Sequence, residues 1–264
     1  MLNLLRRPRP VLIGVVHLLA TPGSPRFGGD VHALLKHAAL DARALVAGGC
    51  DALIVENFGD APFFKAQVAP ETIATLALAL ATVRHASPNV PIGVNVLRND
   101  ARAALGLCAA AGAKFLRVNV HTGAAVTDQG VIEGDAANTL RERSRLCPKA
   151  VLLADVHVKH ASSLGRESIA QAAVDTLQRG LADALIVSGR GTGHAPSAGQ
   201  LGEVREAIGD APLLIGSGLD EKNARELLRF ANGAIVGTFF KKDGKIAEPV
   251  DQERVARLRG LLDA

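Results

Sequence analysis

One short apolar run carries three ionisable side chains at alternate positions. Within Val151–Lys159, the residues Asp155, His157 and Lys159 share one parity, and the residues between them are apolar. Successive side chains of a β-strand point to opposite faces, so a strand here turns an acid, an imidazole and an ammonium to one face and packs the apolar residues on helices. Three ionisable groups on one buried face are costly to desolvate, which favours a catalytic role for them.

The three side chains predict acid–base chemistry. Asp155 is a candidate base, His157 a proton shuttle, and Lys159 an electrophile, an oxyanion partner or a Schiff-base amine. Glu56, at the end of another apolar run, is a further candidate base or metal ligand. Glu56 could instead form a structural ion pair with Arg117. Arg117 could equally form that ion pair with Asp155.

Polar residues at the ends of other apolar runs are candidates for substrate binding. Arg117 shares its parity with Asn119 and His121, so all three are expected on one face. Asn57 has the opposite parity to Glu56, and a regular strand turns only one of them inward. The predicted substrate-binding residues are His17, Asn57, Asn95, Arg117, Asn119 and Ser188.

Glycines gather at the ends of the last three apolar runs. Glycine lets backbone N–H groups approach an anion closely, and a helix predicted from Asp220 would add a positive N-terminus. Ordinary glycine turns are the structural alternative. The sequence around them has no G-K-[ST], which disfavours a nucleotide-hydrolysing P-loop. The predicted phosphate-binding residues are Gly189, Gly216, Ser217, Gly218, Gly237 and Thr238.

The runs that carry these residues recur about every 32 residues, the length of a β/α unit. The predicted strands are Val11–Leu18, Asp51–Phe58, Ile92–Leu97, Lys114–Val120, Val151–Lys159, Asp183–Gly189, Pro212–Leu219 and Gly233–Phe240. The predicted helices are Ala33–Gly48, Pro70–Arg84, Arg98–Ala111, Asp135–Leu146, Ser168–Arg179, Ala198–Ile208, Asp220–Phe230 and Asp251–Leu262. Eight alternations predict an α/β fold, a (β/α)₈ TIM barrel forming one domain over residues 1–264. An open doubly wound sheet would also alternate, but no G-x-G-x-x-G follows the first run.

Composition excludes several classes of protein. With 48% hydrophobic and 21% charged residues, the chain of 264 residues is globular and not disordered. The net charge of +4 is scattered and aromatic residues make up 3%, so no nucleic-acid partner is expected. No apolar run is long enough for a membrane helix. The three cysteines have no zinc-site spacing, which predicts a reducing, cytoplasmic location and no structural metal.

A series of motifs resembles the BtpA/SgcQ family in order along nearly the whole chain. Among them are Gly14-Val15-Val16-His17-Leu18, Glu56-Asn57-Phe58-Gly59-Asp60, Gly93-Val94-Asn95-Val96-Leu97-Arg98-Asn99-Asp100, Arg117-Val118-Asn119, Ala154-Asp155-Val156, Gly216-Ser217-Gly218 and Val236-Gly237-Thr238. Leu19-Ala20-Thr21 departs from the family, whose first loop is usually proline-rich. The resemblance implies a ribulose-phosphate-binding-barrel-like fold. The family takes its name from a member linked to photosystem I biogenesis, and it has no secure reaction.

These observations predict a barrel enzyme acting on a phosphorylated sugar or nucleoside-like metabolite as an isomerase, lyase or hydrolase. The alternative is a non-catalytic biogenesis or assembly factor that binds a protein partner through the outer face of the barrel. A metal-dependent hydrolase is a third option, weakened because the first run has no His-x-His pair. No cofactor is predicted with certainty. Mg²⁺ bound mainly through a substrate phosphate, and a homo-oligomer, both stay open.

Overall fold

The computed structural model describes residues 1–165 and 167–263. Its strands are β1 (Val11–His17), β2 (Ala52–Glu56), β3 (Ile92–Asn95), β4 (Phe115–Val118), β5 (Ala124–Thr127), β6 (Gly130–Glu133), β7 (Val151–Val156), β8 (Ala161–Ser163), β9 (Ala184–Val187), β10 (Leu213–Ile215) and β11 (Gly233–Val236). Its α-helices are α1 (Leu2–Leu5), α2 (Val31–Ala47), α3 (Pro70–Ala86), α4 (Ala101–Ala111), α5 (Ala136–Leu146), α6 (Ile169–Gln178), α7 (Ala198–Ile208), α8 (Ala224–Leu227) and α9 (Gln252–Asp263).

Eight parallel strands close into a barrel in the order β1-β11-β10-β9-β7-β4-β3-β2. The predicted TIM barrel is thereby confirmed. One parity of each strand packs outward on the helices, and the other parity fills the barrel. The amino end of the barrel is closed by α1, because Leu5 is fully buried within the inner apolar cluster. Chemistry is therefore confined to the carboxyl end of the strands, called the mouth below.

The helix starts follow from local capping. Asp30 and Asp100 accept hydrogen bonds from backbone N–H groups three residues later, at α2 and α4. Ser197 forms a capping box with Gln200 at the start of α7. Among the residues that the structure describes, no helix combines the length and the apolar character needed to cross a bilayer.

The sequence did not predict a small antiparallel sheet beside the mouth, with strand order β6-β5-β8. Its strands of three or four residues come from the loops that follow β4 and β7. Its inner side buries Ala125 and Ile132 against Val120 and Val158. Val158 was predicted to pack on helices, and it packs under this sheet instead.

The predicted strands were also too long at their carboxyl ends, and two helices were too long. The helix predicted over Arg98–Ala111 begins at Ala101. The fifth barrel strand ends at Val156, three residues earlier than predicted. The helix predicted over Asp220–Phe230 is limited to the four residues of α8. The carboxylate of Asp220 accepts from the N–H groups of Lys222 and Asn223 in the turn before α8, and the helix itself begins after Asn223.

Candidate active site

Each barrel strand turns one residue into the mouth, at or just beyond its carboxyl end. In the order of the chain, these residues are His17, Glu56, Asn95, Arg117, Asp155, Ser188, Gly216 and Gly237. We call these eight residues the mouth ring. Six polar side chains lie on one side of the ring and two glycines complete it, so a polar wall faces an open, backbone-lined wall.

Asp155 is the most thoroughly bound group of the mouth ring. The guanidinium of Arg117 donates to both of its carboxylate oxygens, from Nε and from a terminal nitrogen, each at 2.8 Å. Asn119 donates to the same carboxylate at 3.0 Å, and Ser188 at 3.3 Å. Burial disfavours the charged guanidinium, but Asp155 and Glu56 outweigh that effect and raise the pKa of Arg117.

The role predicted for Asp155 as a base does not fit this geometry. A carboxylate that accepts from a bidentate arginine and two further donors has little capacity left to take a proton. The geometry fits better with a structural ion pair, which Arg117 forms with Asp155 and not with Glu56. Asn119 and Ser188 also contact Asp155, so their observed contacts are with the protein.

Glu56 lies on the same polar wall, separated from Asp155 by Arg117 and Asn95, and has a single side-chain partner. Its Oε2 accepts from the amide of Asn95 at 2.6 Å. The carboxyl group is buried, and no lysine or arginine nitrogen lies within 4.0 Å of it among the described residues. Glu56 therefore retains free acceptor capacity at a position that lines two cavities.

Lys159 reaches the same two cavities from the loop after β7. Within the described part of the chain, no carboxylate oxygen lies within 4.0 Å of its ammonium. Burial, together with the positive charge of Arg117, lowers the pKa of Lys159. An amine in a cavity without an ion-pair partner is suited to bind an anion, to transfer a proton or to attack a carbonyl.

The structure contradicts the prediction that His157 points into the mouth with its two neighbours. The strand ends at Val156, and His157 has a φ of 48° and an exposed side chain. Alternation of side chains holds only while the backbone stays extended, so the left-handed residue breaks the predicted parity. His157 lies on the outer side, beside a cavity of about 100 Å³ next to the small sheet.

The protein itself holds two further residues, His121, which was predicted to face inward, and Asn57, which was predicted to bind substrate. His121 is buried, and its Nε2 lies 2.8 Å from the carbonyl oxygen of Gly180, beyond the strand that ends at Val118. Asn57 accepts from the backbone N–H of Leu97 at 2.8 Å and donates to Asp60 at 3.0 Å. Asn57 thus connects two loops, and its predicted contact with substrate is not supported.

His17 is an uncharged imidazole at the edge of the mouth. Burial, reinforced by the positive charges of Lys241 and Lys159, lowers the pKa of His17 to about 3. Its ring lies 4.8 Å from the ring of Phe58, and its buried Nδ1 has no partner among the described residues. His17 can therefore donate or accept one hydrogen bond to a ligand without carrying charge.

The open wall of the mouth surrounds a cavity of about 220 Å³, which we call the glycine cavity. Five of the six predicted phosphate-binding residues line it, namely Gly216, Ser217, Gly218, Gly237 and Thr238. The sixth, Gly189, lies outside it. A Cβ at Gly237 would come within 2.4 Å of Cε1 of His17, so glycine keeps this wall clear. The predicted helix N-terminus contributes nothing, because α8 is one turn long and Asp220 occupies the amides before it.

A second cavity of about 550 Å³ lies beside the polar wall, and we call it the arginine cavity. It shares Glu56, Arg117, Lys159 and Thr192 with the glycine cavity. The sequence did not single out Arg98, which lines the arginine cavity and is buried. The spacing predicts Arg98 at the start of a helix. The one signal that could have found it is the motif from Gly93 to Asp100, which also contains Asn95.

The loops after β7 and β9 meet over these cavities. His160 Nε2 accepts from the backbone N–H of Thr192 at 3.1 Å and lies 3.0 Å from the hydroxyl oxygen of the same residue. The backbone N–H of His160 donates to the carbonyl of Arg190 at 3.1 Å. These contacts hold Lys159 next to the glycine-rich loop. The described residues contain no group of three or more His, Cys, Asp or Glu side chains placed to hold a metal ion.

The fold has close counterparts among solved structures. Phosphoribosyl anthranilate isomerase from Thermus thermophilus superimposes with a TM-score of 0.58 at 14% identity, over 96% of this chain and 98% of that one. KGPDC from Streptococcus mutans gives a TM-score of 0.59 at 12% identity, over 97% and 98%. At such identities the likeness shows a shared barrel fold.

Sequence similarity is more specific. Photosystem I biogenesis protein BtpA of Synechocystis sp. is 46% identical over 245 residues, which cover 93% of this chain and 85% of that protein. An uncharacterized protein of Thermococcus kodakarensis is 44% identical over 250 residues, covering 95% and 94%. An uncharacterized mitochondrial protein of Caenorhabditis elegans is 34% identical over 262 residues, covering 97% and 94%. Residues 8–263 match the BtpA family as a whole. The chain belongs to the BtpA family.

Proposed function

We propose that this protein is an enzyme that acts on a phosphorylated sugar or nucleoside-like metabolite by acid–base chemistry, as an isomerase, lyase or hydrolase. One observation carries the proposal: Glu56 and Lys159, an acid and an amine without ion-pair partners among the described residues, line both mouth cavities. A barrel that served only as a scaffold would gain nothing from burying two such groups, since each is costly to desolvate.

Glu56 is the proposed general base. Its carboxylate is oriented by Asn95 and has an oxygen free to remove a proton from a substrate carbon or hydroxyl. Lys159 is the proposed partner that stabilises the developing oxyanion or, as the free amine, attacks a carbonyl. Asp155 is assigned a supporting role, in which it fixes Arg117 and Asn119 at the floor of the site.

The glycine cavity is the proposed phosphate site. Its wall is formed by the backbone at Gly216, Gly218 and Gly237, with the hydroxyls of Ser217 and Thr238 beside it. The N–H of Gly216 donates to the carbonyl of Val187 at 2.8 Å, so the proposed backbone donors are those at Gly218 and Gly237. The Ser217 hydroxyl donates to the carbonyl of His194 at 2.8 Å. Its proton is therefore not available to a ligand, and only its oxygen lone pairs are. Backbone amides are therefore the principal proposed donors. Mg²⁺ bound through the phosphate stays a prediction.

Titration calorimetry with inorganic phosphate tests the phosphate site. In Gly237→Ala, the added Cβ would lie within 2.4 Å of His17, so the wall must shift and phosphate affinity is expected to fall roughly tenfold. The control is Gly260→Ala on α9, where an added Cβ meets no atom within 4 Å. Equal phosphate affinity in wild type and Gly237→Ala, or no phosphate binding at millimolar concentration, contradicts the assignment.

The alternative function is a biogenesis or assembly factor that binds a protein partner. The name of the Synechocystis relative, photosystem I biogenesis protein BtpA, favours it. Substitutions in the mouth distinguish the two functions. An assembly factor is expected to keep its partner binding in Glu56→Gln and Lys159→Met, whereas an enzyme is expected to lose turnover in both variants. The proposed location is cytoplasmic, in keeping with three cysteines that form no disulfide.

A further inference from the structure

Arg98 is a buried cation in the arginine cavity that the proposed acid–base chemistry does not use. Its side chain follows β3 and is 4% exposed. One terminal nitrogen donates to the backbone carbonyl of Lys159 at 2.6 Å, while Nε has no hydrogen-bond partner among the described residues. No carboxylate oxygen of the described chain lies within 4.0 Å of the guanidinium. Buried arginines are normally paired, so this one is left short of an anion.

The charges around the arginine cavity leave one cation in excess. Asp155 neutralises Arg117 by direct contact. The single negative charge of Glu56 can offset the positive charge of Lys159 or that of Arg98, but not both. Arg26 and Asp128 also line the cavity and contribute one charge of each sign. Burial lowers the pKa of Arg98, the charge of Asp155 opposes that effect, and the charge of Arg117 adds to it. The net direction is downward, which fits a guanidinium with no carboxylate in direct contact.

We infer that Arg98 and Lys159 form a second anion subsite, which takes a carboxylate at the end of the substrate remote from the phosphate. A single excess positive charge matches a carboxylate monoanion better than a phosphate dianion. The planar guanidinium also suits the two oxygens of a carboxylate. The substrate class is then a phosphorylated sugar acid. The inference rests on the proposed phosphate site in the glycine cavity.

The two cavities are placed for one extended ligand. They share Glu56 and Lys159 in their common wall, so a molecule whose phosphate lies in the glycine cavity and whose carboxylate meets Arg98 runs past both groups. Its middle carbons then lie beside the proposed base. Apolar side chains of Phe58, Phe63 and Leu97 also line the arginine cavity, and an apolar surrounding strengthens a contact between a guanidinium and a carboxylate.

Two probes of equal length test the subsite by titration calorimetry. 6-Phosphogluconate carries a phosphate and a carboxylate, and glucitol 6-phosphate carries the phosphate and a neutral hydroxymethyl group. Wild type is expected to bind 6-phosphogluconate at least about tenfold more tightly than glucitol 6-phosphate. Arg98→Met is expected to lose this preference and keep its affinity for glucitol 6-phosphate. Arg43→Met, which removes an exposed arginine of α2, should keep the preference.

Thermal unfolding of each variant comes first, and Arg98→Lys, which retains the charge, replaces Arg98→Met if the latter does not fold. Arg98→Lys is expected to reduce the preference several-fold through loss of the planar fork. If wild type binds inorganic phosphate but shows no preference for 6-phosphogluconate, the second subsite is wrong and the phosphate site stands. A preference that survives in the Arg98 variant also overturns the subsite. If wild type binds neither probe nor phosphate, the proposed function itself fails.

Discussion

Asp155 and Glu56 are both buried carboxylates of the mouth ring, and the barrel treats them in opposite ways. Asp155 accepts hydrogen bonds from Arg117, Asn119 and Ser188. Glu56 accepts one, from Asn95. The first carboxylate is part of the architecture of the barrel floor, and the second faces two cavities with unused acceptor capacity.

The difference teaches that burial alone does not identify a catalytic acid. Both residues are inward-facing and ionisable, and both were candidates from sequence. What separates them is the neighbouring strand: β4 turns Arg117 toward β7, and β3 turns the neutral Asn95 toward β2. A carboxylate beside a buried guanidinium is occupied by an ion pair, and one beside an amide keeps an oxygen free to contact a ligand.

The largest expected effect is on stability, from Asp155→Asn. The substitution leaves the guanidinium of Arg117 buried without its anion, which is expected to lower the free energy of unfolding by about 3–5 kcal/mol. Denaturant-induced unfolding of the two proteins measures it. The matched control is Arg117→Met with Asp155→Leu, which removes both charges and is expected to recover most of the loss. A stability equal to wild type in Asp155→Asn would restore the catalytic interpretation of this residue.

The next effect concerns pH and His17. Because the pKa of His17 is lowered to about 3, the folded protein leaves this ring unprotonated where the unfolded chain protonates it. The free energy of unfolding should therefore fall as pH drops below about 6.5. Between pH 7 and pH 5, wild type is expected to lose about 1–2 kcal/mol more than His17→Gln. All other histidines are the same in the two proteins, so identical pH profiles would show that His17 is not held neutral.

The reactivity of Lys159, which lines both cavities, sharpens the comparison further. Because the pKa of Lys159 is lowered and its amine lines two cavities, reductive methylation with formaldehyde and cyanoborohydride at pH 7 should modify it faster than exposed Lys36. Glu56→Gln should increase that rate, because the Glu56 charge supports the ammonium form. Mass spectrometry of peptides after timed labelling provides the rates. A Lys159 rate equal to that of Lys36 contradicts a functional amine.

The smallest effect is expected for stability in Glu56→Gln. The amide retains an oxygen for Asn95 and removes a buried charge that has no ion-pair partner in the described chain, so the free energy of unfolding should change by less than about 1 kcal/mol. Unfolding curves recorded beside those of Asp155→Asn give the direct comparison. A loss as large as that of Asp155→Asn would mean that Glu56 also holds the barrel together.

Sequence reasoning reached the barrel because its signal is repeated eight times. Apolar runs and helical segments alternate along the chain, and an error in one unit does not change the fold. Strand parity also placed Asp155 correctly, because β7 is extended through that residue. It failed two residues later, at His157, where a left-handed backbone ends the alternation.

The rest of the site depends on contacts between units, which alternation does not encode. The pairing of Arg117 with Asp155 joins β4 to β7 across a loop that contains the hairpin of the small sheet. Arg98 lies in a loop whose composition suits a helix start, and only the fold turns it into the arginine cavity. Short strands such as β8, three residues long, carry too few positions to show a period.

The most direct test of the account is turnover itself. Wild type and Glu56→Gln are incubated with a panel of sugar phosphates, phosphorylated sugar acids and nucleotides, with Mg²⁺ or with EDTA, and the products are identified by mass spectrometry. The account predicts that wild type consumes at least one member, and that Glu56→Gln binds the same member but converts it at least about 100-fold more slowly. If wild type consumes none, or if Glu56→Gln turns the substrate over at the wild-type rate, the mouth of this barrel is not the acid–base site described here.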